Sequence, residues 1–166
     1  ESDIGKGSCF SVSIPVAVDA DIAEESVAKS DTGVHEPVSG LIILIEDDVN
    51  VANAWGLLLE AEGYRVATAA SAPEAQALIN HTDETPALLI SDFHLLDGST
   101  GVEAVSTIRK FYDATIPAYI VSGDTSKVVK EARLLENCTL MCKPIDTNRL
   151  LAAARHAVNT GLVPQD

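Results

Sequence analysis

From Leu41 onward the chain alternates short, continuous apolar runs with stretches whose apolar residues recur at helical spacing. LIILI (41–45) carries no polar residue to face water, as expected of a strand covered on both faces. YRVATA (64–69), PALLIS (86–91), PAYIVS (117–122) and CTLMC (138–142) follow as further strands. Between them lie predicted helices. The first sets Val51, Ala54, Trp55, Leu58 and Leu59 on one face and stops at Gly63. The second, 71–80, opens on a Ser cap with Pro in its first turn. Others are expected over 101–111, 125–135 and 147–158. Strands separated by helices require crossovers, and crossovers give parallel pairing. The expected architecture is therefore an α/β, doubly wound parallel sheet with helices on both faces.

Ligands of an open parallel sheet bind beyond the carboxyl ends of its strands, so the residues after each run matter most. Glu46, Asp47 and Asp48 follow the first strand, Asp92 the third, Ser122 and Gly123 end the fourth, and Lys143-Pro144 follows the fifth. Taken singly, each has a plain explanation: an acidic first helical turn, a solvated loop carboxylate, a strand exit. Together they crowd carboxylates that repel one another, and a hard divalent cation relieves that repulsion. Mg²⁺ suits one or two carboxylates together with phosphate oxygens. Lys143 offers a compact positive charge and Ser122 a hydroxyl for phosphoryl oxygens. Asp92 is then left as an acceptor, since a carboxylate can attack phosphorus when surrounding charges stabilise the equatorial oxygens.

LIILIEDD, LLISDFHLLDG, PAYIVSGDTS and MCKP resemble the signature segments of bacterial response-regulator receiver domains over about residues 41–160. The spacing agrees: Asp92 about 45 positions after the acidic pair, Ser122 about 30 later, Lys143 about 20 beyond. The resemblance implies a flavodoxin-like (βα)5 fold with strand order 2-1-3-4-5. It implies that Asp92 accepts a phosphoryl group from phosphohistidine and also contacts Mg²⁺. Asp47 would bind the metal directly, Glu46 through water, and His94 through its backbone carbonyl. Ser122 would hydrogen-bond the phosphoryl group and Lys143 pair with it. Asp48 either extends the acidic pair or caps the next helix. The partner would be a histidine kinase's phosphohistidine domain or a histidine phosphotransfer protein, docked around Asp124–His156. Such a chain is a phosphoacceptor rather than a conventional enzyme.

Two positions depart from the family pattern. Leu140 stands where an aromatic side chain usually swings inward on phosphorylation, so the readout would differ or weaken. Leu96 replaces a common Pro, which would leave the loop Phe93–Thr100 freer.

Upstream, GKGSCFSVSIP is a Gly-Lys-Gly turn and an alternating strand, stopped by Pro15, with no evident partner. It resembles the closing strand of a histidine-kinase ATP-binding domain. The implied organisation is a remnant of that domain at 1–15, a linker at 16–39 with a marginal helix over Ile22–Ala28, the receiver at 40–160 and a tail at 161–166. That order is the one found in hybrid sensor histidine kinases. The chain lacks an initiator Met and reads as a piece of such a protein, without its ATP-binding or phosphorylated-His segments.

The remaining features mainly exclude. A formal charge of −14 argues against nucleic acid and against anionic membrane. No apolar run reaches transmembrane length, and no signal peptide opens the sequence. Cys9, Cys138 and Cys142 are odd in number and without a His cluster, so buried reduced thiols in the cytoplasm fit better than a disulfide framework or zinc, although the parent kinase could be anchored in a membrane. His35, His81 and His156 share no spacing, the His94 ring is expected to point away from an oxygen-loving ion, and Trp55 reads as core. Two rival functions remain: an interaction module that no longer cycles phosphate, motivated by Leu140, and an aspartyl-phosphate phosphatase with DFH (92–94) as its signature. The second lacks the general acid, because His94 takes its place.

Overall fold

The structure, a computed structural model, describes residues 2–3, 7–8, 40–96, 98–123 and 135–164. The chain divides into a unit over Glu1–His35 and a unit over Glu36–Asp166. In the first, β1 (Ser2–Asp3) pairs antiparallel with β2 (Gly7–Ser8), with Ser2 opposite Ser8. Ser8 thus has a strand partner that the sequence did not reveal. The remainder of the expected strand, the linker and its marginal helix lie outside the described residues.

In the second unit the apolar runs form a five-stranded parallel sheet. Its strands are β3 (Leu41–Ile45), β4 (Arg65–Ala69), β5 (Leu88–Asp92), β6 (Ala118–Ser122) and β7 (Cys138–Cys142). They lie in the order β4-β3-β5-β6-β7, which is 2-1-3-4-5 counted from Leu41. β3, β5 and β6 are interior strands and buried at every position. β4 lies at an edge and is buried only at Ala69, with Arg65 and Thr68 exposed, as its mixed composition requires.

Four described helices cover the sheet: α1 (Val49–Ala61), α2 (Ala72–Ile79), α3 (Gly101–Tyr112) and α4 (Thr147–Thr160). Each starts where a short polar side chain accepts the first free N–H groups: Asp48, Ser71, Thr100 and Asp146. At α3 the cap is reciprocal. Thr100 Oγ1 accepts from Glu103 N at 3.2 Å, and Glu103 Oε2 accepts from Thr100 N at 2.8 Å. Ile43, Ile45, Ala75, Val105 and Ile108 belong to the core on the α2–α3 face. Ile42, Leu44, Leu59, Leu150 and Ala157 belong to the core on the α1–α4 face. The helix expected over 125–135 lies almost wholly outside the described residues.

Several local expectations change. Along α1 the buried residues are Ala52, Gly56 and Leu59, while Ala54 faces out and Trp55 is half-buried against the core. Small residues carry little hydrophobic signal, yet they let a helix lie close to a sheet. The third strand runs one residue further than its apolar letters and includes Asp92, held by Phe93 N donating to Val121 O at 2.8 Å. The segment read as a tail is packed through Pro164. Val163 is buried and its N–H donates to Asn137 Oδ1 at 2.8 Å, and Asn137 Nδ2 donates to Gly161 O at 2.8 Å. Arg109 ties the end of α3 to the starts of β6 and β7, donating to the carbonyls of Ile116 (2.9 Å), Glu136 (2.7 Å) and Asn137 (2.8 Å).

Cys138 is buried, as expected, but Cys142 is exposed because it is the last residue of β7, at the sheet's rim. Burial pushes the Cys138 thiol up to about 11, against a smaller downward pull from Arg109. That contribution to stability is present below the unfolded thiol value of about 8.5 and is lost as pH rises toward the folded one. Alkylation by iodoacetamide at pH 8, followed by peptide mass spectrometry, should modify Cys142 at least ~100-fold faster than Cys138. Equal rates in the folded chain would contradict this placement.

Candidate functional site

The carboxyl ends of β3, β5, β6 and β7 meet at one rim, because parallel strands all end on the same side. Glu46 leaves β3 with its N–H donating to Ala69 O at 3.0 Å, and its side chain is almost fully buried at 1 % exposure. Asp92 ends β5 with its side chain 12 % exposed, and Ser122 ends β6 fully buried. Lys143 leaves β7 with its N–H donating to Ser122 O at 2.9 Å. Pairing in β6 and β7 puts Ser122 opposite Cys142, so Lys143 emerges next to the hydroxyl-bearing strand end.

Lys143 Nζ lies 2.7 Å from Asp92 Oδ2 and 3.3 Å from Glu46 Oε2. One ammonium therefore bridges two carboxylates brought from positions 97 and 51 residues away in sequence. Burial pushes the Glu46 carboxyl above its ordinary range. The Asp48 N–H and Lys143 pull it back, while the Asp92 charge adds to the rise. Burial alone would lower the Lys143 ammonium. The hydrogen bond and charge of Asp92, followed by those of Glu46, outweigh burial and hold it above its ordinary value.

The acidic residues also meet the geometric demand of a divalent ion. Carboxylate oxygens of Glu46, Asp47 and Asp92 all lie within 4.8 Å of one another. The donor set is entirely oxygen, anionic and partly withdrawn from water, which suits Mg²⁺ far better than a softer metal. Three carboxylates against one ammonium leave a net negative charge to be neutralised.

The remaining expected residues sort clearly. Asp48 is a helix cap, with Oδ1 accepting from Asn50 N at 2.9 Å, and it stands outside the acidic cluster. The His94 ring is exposed and sits edge-on to Phe93, with centroids 4.7 Å apart. Its backbone bridges to Thr100, closing a loop in which Leu95 N donates to Ser99 O (3.3 Å) and Gly98 N to Leu95 O (3.0 Å). The replacement at Leu96 therefore leaves a loop with its own internal bonds, and Leu96 itself is 85 % exposed. Leu140 is partly buried against the α2–α3 core.

Two residues at this rim were not singled out by the sequence. Ser91 is wholly buried, its hydroxyl donating to the Asp92 carbonyl at 2.9 Å. Gly101 opens α3 against the same carbonyl, its N–H donating to Phe93 O at 2.9 Å. A glycine directly after a competent Thr cap was the available signal.

Comparison with known proteins agrees with this geometry. Over 117 residues the chain is 26 % identical to the phyllosphere-induced regulator PhyR of Methylorubrum extorquens, covering 70 % of this chain and 43 % of that protein. It is 29 % identical over 125 residues to the transcriptional regulatory protein GlrR of Escherichia coli, covering 75 % of this chain and 27 % of that one. The chain thus spans less than half the length of these curated relatives. Among solved structures, the chemotaxis protein CheY4 of Vibrio cholerae superposes with a TM-score of 0.63 at 23 % identity, over 72 % of this chain and 98 % of that one, and shows the shared fold. The family model of the response regulator receiver domain matches residues 42–155, the span that contains every strand end described above. On the strength of that match and of the sheet that carries it, the chain belongs to the response regulator receiver domain family.

Proposed function

We propose that this receiver domain takes a phosphoryl group onto Asp92 from a phosphohistidine. The observation that carries the reading is the bridge from Lys143 Nζ to both Asp92 and Glu46 beside a third carboxylate, Asp47. An Asp92 carboxylate oxygen attacks phosphorus, the P–N bond to the donor imidazole breaks, and the imidazole nitrogen takes up a proton. The product is an acyl phosphate. Asp47, Asp92, Glu46 and the His94 backbone carbonyl would hold Mg²⁺, which when bound neutralises charge on the phosphoryl oxygens. Lys143 already stands within hydrogen-bond reach of the acceptor carboxylate and would pass from it to a phosphoryl oxygen. Ser122, from the adjacent strand end, would donate its hydroxyl to another.

Receiver domains exchange phosphoryl groups with histidine kinases or phosphotransfer proteins, and the partner proposed here is of that kind. We further propose that the parent is a hybrid sensor histidine kinase, with residues 1–15 from the end of its ATP-binding domain, 16–39 as linker and 40–160 as receiver. GKGSCFSVSIP and its position upstream support this reading. A cytoplasmic location accords with the reduced thiols. No helix among the described residues is long and apolar enough to cross a membrane. A charge of −14 supports a partner other than nucleic acid.

Incubation with acetyl phosphate and Mg²⁺ should add one hydroxylamine-sensitive phosphoryl group, mapped to Asp92 by mass spectrometry. Chelation of the metal should suppress it. Leu140 supports a second reading, a receiver-like interaction module without a phosphate cycle. That reading predicts no Mg²⁺-dependent response of Trp55 fluorescence to beryllofluoride, and a clear response would remove it.

A further inference from the structure

The backbone of Asp92 is touched from outside its own strand. The loop after β5 folds back so that Gly101, the first residue of α3, rests on the end of that strand. A methyl group on Gly101 would stand 2.2 Å from the Asp92 carbonyl oxygen, 2.6 Å from Ser91 Oγ and 3.1 Å from the Asp92 carbonyl carbon. These neighbours are backbone and a buried short side chain, with no flexible end to swing aside. Gly101 does not have a positive φ, so space rather than backbone conformation forbids a side chain there. By contrast, a methyl group on Gly56, buried in α1, would meet nothing within 4 Å.

Ser91 completes the contact. It is 0 % exposed, and its hydroxyl donates to the Asp92 carbonyl at 2.9 Å while lying against Gly101. The carbonyl of the residue whose carboxylate reaches Lys143 therefore accepts a buried hydroxyl and lies directly against the first residue of a capped helix.

We propose that Ser91 and Gly101 are positioning residues for Asp92, seating α3 directly on its backbone and thereby fixing where its carboxylate stands relative to Lys143. This rests on the acceptor role proposed for Asp92. A side chain at 101 requires helix or strand end to retreat by more than about 1 Å, and displacement on that scale costs an aligned reaction about 100-fold. The effect falls on orientation, so the maximal rate changes while the donor concentration at half-saturation does not.

The test uses the whole chain with Gly101→Ala, Ser91→Ala and, as control, Gly56→Ala. Acetyl phosphate titrations with Mg²⁺ are run well below each variant's thermal midpoint, with the modified residue identified by mass spectrometry. Gly101→Ala is expected to lower the maximal labelling rate about 10–100-fold with half-saturation within about twofold of wild type. Ser91→Ala, which loses the hydroxyl but adds no clash, should fall by about 3–10-fold. Gly56→Ala should label as wild type. Wild-type maximal rates in both Ser91→Ala and Gly101→Ala would overturn the positioning role, as would losses that follow only the folded fraction. Should Gly101→Ala fail to fold, the rate of Ser91→Ala decides. If wild type is labelled elsewhere than Asp92, the acceptor reading itself fails, an outcome visible before any variant is compared.

Discussion

Asp92→Asn is expected to lower acetyl phosphate labelling by at least ~10³-fold, the scale on which loss of a nucleophile outweighs every surviving contribution. The substitution preserves shape. An asparagine side-chain oxygen can still accept from Lys143 Nζ, which in the wild type lies 2.7 Å from Asp92 Oδ2. What disappears is the anionic oxygen able to form an acyl phosphate. The fold should hardly notice: one carboxylate fewer relieves repulsion on Glu46, and an ion pair with a one-third-exposed lysine becomes a hydrogen bond from the ammonium to a neutral acceptor. The two changes oppose, for a net effect within about 1 kcal/mol. Chemical denaturation should therefore give nearly matching midpoints for the two proteins. Residual labelling would fall on Glu46 or Asp47, whose oxygens share the cluster, and peptide mapping would show it. Unchanged labelling at unchanged rate would remove Asp92 from the chemistry.

The legible part of this protein was the part written in strand ends. LIILI and PAYIVS declare buried strands by having no polar letter to expose, and parallel pairing then sends their last residues to one rim. Asp92 and Lys143 could be placed together from that rule alone. What the letters do not carry is contact at close range. Ala52 and Gly56 carry the inner face of α1, yet a hydrophobic count prefers Ala54, which is exposed. Cys142 looks as apolar as Cys138, and its exposure follows from its place as the last residue of β7, at the rim of the sheet. Val163 reads as tail, yet it belongs to the core on the α1–α4 face, with its N–H paired to Asn137. Gly101 is the clearest case, because the reason for a missing side chain lies in the backbone it would strike.

Lys143→Met should separate the charge of this lysine from its geometry. Methionine keeps the length and apolar stem, so packing changes little, but two carboxylates with side chains 1 % and 12 % exposed lose their cation. Breaking a fully buried pair costs about 3–5 kcal/mol, and with Lys143 one-third exposed the expected loss is nearer ~1–2 kcal/mol. The sign with pH is fixed by the raised Lys143 value. Its contribution is complete below the unfolded lysine value of about 10.4 and is lost as pH rises through the folded one, so the gap to wild type is present at pH 7. Toward acid, protonation of the carboxylates removes the lysine's partners and the gap closes. Saturating Mg²⁺ should narrow the gap at neutral pH, since a divalent cation takes over the neutralisation. Labelling should not recover with it: losing one preorganised donor to the developing phosphoryl charge costs about 10²–10³-fold in rate. Lys143→Arg sharpens the distinction, because a planar guanidinium keeps the charge but cannot stand where a compact ammonium stands. It should restore most of the stability and little of the labelling. Recovery of both would reduce Lys143 to a neutralising charge, and wild-type labelling in Lys143→Met would take it out of the reaction.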